Sequence, residues 1–116
     1  MREHTFTVRK DDVPKTDISY LQGLEGTLRA EGFSIERQRT NMTDETSARF
    51  IDGGGAQIDY IPFNLKNTRV ILFSVKSILE GQTEYIADQI KNYSRHEGYL
   101  IQDDLIRGFE DPKSII

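Results

Sequence analysis

The chain has 116 residues, a formal net charge of −4, 36% hydrophobic and 29% charged residues, and no cysteine. These values describe one ordinary globular domain with a modest core and exclude a disordered chain. They also exclude disulfides and thiolate metal sites, and the acidity argues against a generic nucleic-acid binder while leaving room for a local basic strip.

In chain order, Arg2, Glu3 and His4 are followed by strand-like alternation and no apolar signal-peptide run, and no apolar stretch reaches membrane-spanning length, so the expected setting is cytoplasmic. His4 to Arg9 predicts an edge strand, with His4 exposed near the terminus. Thr16 or Asp17 offers an N-cap for a helix of about sixteen residues. Its apolar stripe is Ile18, Leu21, Leu24 and Leu28, and Gly32 is placed to stop it. Phe33 to Thr40 reads as a strand, Asn41 to Thr46 as a polar loop, and Ser47 to Ile51 as a short strand. Asp52-Gly53-Gly54-Gly55 then suits a hairpin turn.

A short strand carries Asp59, and Pro62 to Asn67 reads as a proline-terminated connection. Val70 to Phe73 is apolar on both pleat faces, the pattern of a strand covered on both sides. A helix follows from about Gln82 to Glu97 with Tyr85, Ile86, Ile90 and Tyr93 as its stripe, stopped by Gly98. Tyr99 to Gln102 makes a last strand. The expectation is one α/β domain over 1–116, with an N-terminal strand at 4–9, a core at about 17–102 and a tail at 105–116. Helices interleaved with strands predict a mixed central sheet with helices on both faces.

Four polar residues break the apolar pattern. Glu25 falls within the stripe of the first helix, and Gln89 sits in the stripe of the second. Asp59 lies in a short strand, and Lys76 ends the most apolar one. Singly, each has a plain structural explanation: a carboxylate reaching water, a satisfied core amide, a turn residue, a strand end. Together they fall on successive elements in one order.

That order resembles the PD-(D/E)xK nuclease superfamily, the restriction-endonuclease-like fold, nearest its RecB-like and Holliday-junction-resolvase-like branches. The likeness rests on Ile58-Asp59, Ser74-Val75-Lys76, Glu25, Gln89-Ile-Lys-Asn-Tyr93 and the run Leu28-Arg-Ala-Glu-Gly32-Phe. It implies an α-β-β-β-α-β core with an extra N-terminal strand, and a Mg²⁺- or Mn²⁺-dependent nuclease hydrolysing DNA phosphodiester bonds in repair, recombination or defence. Asp59, Lys76, Glu25 and Gln89 would be catalytic, with Asp59, Glu25 and the Val75 carbonyl around the metal. Tyr93, Arg37, Arg39, Lys91 and Arg95 would contact nucleic acid.

Ser74 stands where that family has an acid or glutamine, which removes one negative charge from around the ion and weakens both metal binding and activity. Two alternatives stay open: a degenerate nuclease fold acting as a nucleic-acid- or protein-binding module, and a small acidic α+β interaction or immunity-type protein. The resemblance also implies a homodimer, with Ser47 to Gly55 as the place for an added pairing edge.

Overall fold

The computed structural model describes residues 2–14, 16–39 and 46–108, and their side chains except at 36–39, 46–47, 64–65 and 103–108. Six strands and two helices follow one another as β1 (Arg2–Lys10), α1 (Ser19–Ala30), β2 (Ser34–Arg39), β3 (Thr46–Ile51), β4 (Gln57–Leu65), β5 (Thr68–Ser77), α2 (Gln82–His96) and β6 (Leu100–Gly108). The strands form one sheet in the order β2-β3-β4-β5-β1-β6. Every neighbouring pair is antiparallel. The α/β class and the interleaved helices agree with the sequence; the mixed sheet does not.

Both helices lie on one face of that sheet. Tyr20, Leu24 and Leu28 of α1 and Ile86, Ala87 and Ile90 of α2 share a single core with Phe6, Val8, Phe50, Ile58, Tyr60, Ile71, Phe73 and Val75. The strand residues of that set alternate with residues on the opposite face, as pleating requires. The two-sided apolar run of β5 therefore does not mark two-sided burial. Ile71 and Phe73 are buried under the helices, while Val70 and Leu72 are partly exposed on a face that neither helix covers.

Local chemistry explains most element boundaries. α1 stops where predicted: Gly32 takes φ 100, open to glycine at little cost, and the Phe33 N–H donates to the Leu28 carbonyl at 3.1 Å. Gly98 ends α2 in the same way, with the Tyr99 N–H donating to the Ser94 carbonyl. The Asp52 carboxylate accepts the N–H groups of Gly54 and Ala56, each at 2.9 Å, and closes the predicted β3–β4 hairpin.

Four features differ from the sequence reading. α1 is twelve residues rather than about sixteen: it begins at Ser19 with Ile18, half exposed, at the N-cap position and no side-chain cap, so neither Thr16 nor Asp17 is its N-cap. Pro62 does not end its strand: β4 outruns β3 beyond Tyr60, and that stretch is an edge, where proline is tolerated. β1 is not an edge strand but lies between β5 and β6. β6 takes in residues expected in the tail, because an irregularity between Thr5 and Thr7 lets pairing with β1 resume past Asp103 and Asp104.

Candidate functional site

The sheet separates the residues that the nuclease resemblance groups together. Cross-strand partners share a face, and Asp59 pairs with Ser74 while Gln57 pairs with Lys76. Those positions alternate with the buried Ile58, Tyr60, Phe73 and Val75, so Asp59, Ser74 and Lys76 occupy the face away from the helices. Glu25 is on the helix side, where its Oε1 accepts the Tyr60 hydroxyl at 3.0 Å. Gln89 is also on the helix side, and its amide donates to the Tyr85 hydroxyl at 2.7 Å. A sheet one backbone thick lies between the two pairs.

Each expected ligand is engaged on its own face. Asp59 accepts Arg49 Nε on one carboxylate oxygen and Gln57 Nε2 on the other, both at 2.8 Å. Lys76 Nζ is 3.7 Å from Glu3 Oε2, the same oxygen that accepts the Ser74 hydroxyl at 2.8 Å. Val75 is fully buried and paired on both sides, to His4 and to Ile58. Among the described residues, no three histidines or carboxylates are grouped so as to hold a metal ion.

The expected nucleic-acid contacts are equally scattered. Tyr93 packs against the core, and its hydroxyl donates to the Tyr20 carbonyl at 2.9 Å. Arg95 bonds along its own helix to Asn92 Oδ1 at 3.2 Å. Lys91 is 6% exposed, with Nζ 3.1 Å from His4 Nε2 and 5.1 Å from the centre of the Phe6 ring. His4, expected at the surface, is 4% exposed. The side chains of Arg37 and Arg39 lie outside the described residues.

Two features escaped the sequence reading. The first is a knot of aromatic hydroxyls joining α1, α2 and the start of β6. Tyr20 packs against Tyr99 with ring centres 4.2 Å apart and planes tilted by 32°, and shares a 2.6 Å hydrogen bond with Ser94. Burial, chiefly, raises the hydroxyl pKa of Tyr20, Tyr93 and Tyr99; Tyr93 is pushed up to about 12, with the Glu97 carboxylate adding to the effect. Beside it, the buried guanidinium of Arg69 donates to the Asp17 carbonyl and ties the segment before α1 to β5. These contacts tie the two helices to each other and to the sheet.

The second feature is the sheet face that no described helix covers. Ile61 pairs with Leu72 and Phe63 with Val70, which makes a partly exposed apolar quartet on β4 and β5. Thr7 and Arg9 of β1 flank it, and the exposed Leu100 of β6 continues the last row. Toward the other end of the same strands lies the polar group of Arg49, Gln57, Asp59, Ser74, Lys76 and Glu3. The signal was present as Ile61-x-Phe63 and Val70-x-Leu72, at strand spacing beside the buried set.

No family model matches the chain, and no curated protein matches it. Among solved structures it is similar to an ACT domain protein from Streptococcus pneumoniae, with 10% identity over 91% of this chain and 88% of that one and a TM-score of 0.43. The nuclease expectation is corrected by the fold itself. The sheet is antiparallel throughout with both helices on one face, and the polar residues that a nuclease site would gather are divided between its two faces. Among the described residues, no helix is long and apolar enough to cross a membrane.

Proposed function

We propose that this chain is a binding domain whose working surface is the uncovered face of the sheet. One observation carries the reading. Four large apolar side chains, Ile61, Phe63, Val70 and Leu72, stand contiguous and partly exposed on a face that neither helix covers. Contiguous apolar surface of this kind marks an interaction site, whereas single exposed apolar residues are ordinary. The charged groups beside the quartet are already paired, Arg49 with Asp59 and Lys76 with Glu3. They would set the orientation of whatever docks, since partly exposed ion pairs add under about 1 kcal/mol to stability.

Matched truncations test the reading. Phe73→Ala, under the helices, is expected to cost about 3–5 kcal/mol, and Leu72→Ala, one residue away on the open face, less than about 1.5 kcal/mol. The measurement is urea unfolding at the lowest chain concentration that far-ultraviolet circular dichroism can follow. Equal losses at the two positions would mean that the quartet is kept for stability, and the reading would fall.

A further inference from the structure

We infer that the uncovered sheet face is closed by a second copy of this chain, the two sheets stacking about a two-fold axis through the quartet. The inference rests on the binding reading above and names its partner.

Size is the first argument. Five strands, β3, β4, β5, β1 and β6, at about 4.8 Å spacing span about 24 Å. The nine residues of β4 run about 30 Å, so the face offers roughly 700 Å² to one partner. A stable protein–protein interface buries about 800 Å² on each side. The face alone is therefore close to the size of a complete dimer contact.

Charge is the second. The chain carries a net −4, and two copies repel wherever that excess is presented. On the described part of the open face, three cations (Arg9, Arg49, Lys76) stand against two carboxylates (Glu3, Asp59). Among these described residues the charges nearly balance, so two copies meet at this face with little of the repulsion that an evenly spread net −4 would give.

Arrangement is the third. A two-fold contact is self-complementary, so whatever lies on the axis meets its own counterpart. With Ile61, Phe63, Val70 and Leu72 on the axis, apolar meets apolar at the usual spacing of about 10 Å between stacked sheets. The Arg49–Asp59 and Lys76–Glu3 pairs then fall at the rim on one side and Arg9 on the other, giving an apolar centre within a polar border. The pairing edge expected at 47–55 is unavailable for this purpose, because β3 is already bonded to β2 and β4.

Sedimentation equilibrium of the full chain over a wide concentration range is the test. The expected result is a species of twice 13.3 kDa. Leu72→Lys, on the axis, should weaken association at least tenfold. So should Thr7→Arg, which alters a side chain that is already polar and spares the fold if Leu72→Lys does not. Tyr85→Lys, at a position 60% exposed on the helix side, should leave association unchanged. A wild-type chain that stays monomeric overturns the inference and leaves the face to a different partner. A dimer that Tyr85→Lys breaks while folded Leu72→Lys and Thr7→Arg do not also overturns it. Neither result touches the truncation comparison, so failure of the dimer and failure of the binding reading are separable.

Discussion

Gly23 sits inside α1, where sequence alone assigns it a penalty of about 1 kcal/mol relative to alanine. The structure supplies its reason: a β-carbon there would collide with the Tyr93 hydroxyl, the group that ties α2 to the Tyr20 carbonyl. Gly23→Ala is therefore expected to lose about 1–3 kcal/mol in urea unfolding rather than gain about 1. In a Tyr93→Phe background the same substitution should lose less than half as much; an unchanged loss would place the clash elsewhere. His4 and Lys91 teach the reverse lesson. His4 alternates with Phe6 and Val8, and Lys91 adjoins Ile90 one turn beyond Ala87, so burial of both was legible. Charge and position near a terminus obscured a periodicity that was already present.

At the scale of elements, signals confined to a few residues read correctly. The glycine stops of α1 and α2 and the Asp52 hairpin needed only neighbouring backbone. The β4–β5 connection differs from the sequence reading because Pro62 reads as a terminator, whereas a strand's tolerance of proline depends on which neighbour reaches it. The turn itself is two residues, Lys66 at φ 50 and Asn67 at φ 66. Positive φ at both central positions favours Asn-Gly and disfavours lysine. The double change K66N/N67G should therefore stabilise the chain by about 0.5–1 kcal/mol, visible as a higher urea midpoint at unchanged slope. A lower midpoint would show that the two native side chains contribute more than the backbone strain costs.

Across the whole molecule, the tyrosine knot couples both helices to the sheet, and the raised hydroxyls make stability depend on pH in the alkaline range. Tyr93 is raised from its ordinary 10.0 to about 12, and Tyr20 and Tyr99 are raised as well. Below pH 10 these hydroxyls are protonated in both folded and unfolded chains, and the stabilisation is complete. Above it the unfolded chain ionises first, so stability should fall as pH rises from 10 toward 12. The unfolding temperature, followed together with phenolate absorbance, should drop across that window, and less steeply in Tyr93→Phe. A flat unfolding temperature up to pH 12 would contradict the assigned burial.

By itself the sequence determined the class, two helices interleaved with strands, together with the helix stops and one hairpin, because these depend on pattern and turn chemistry within a few residues. The tertiary structure alone decided which way strands pair, which face the helices choose, and hence which distant residues meet. Glu25, Asp59, Lys76 and Gln89 follow one another in a suggestive order, but order along a chain carries no information about sides of a sheet. One side of one layer holds Asp59 and Lys76, and the other holds Glu25 and Gln89. The physical reason is that helices cover one face only, so an apolar run on β5 serves a core on one side and an open surface on the other.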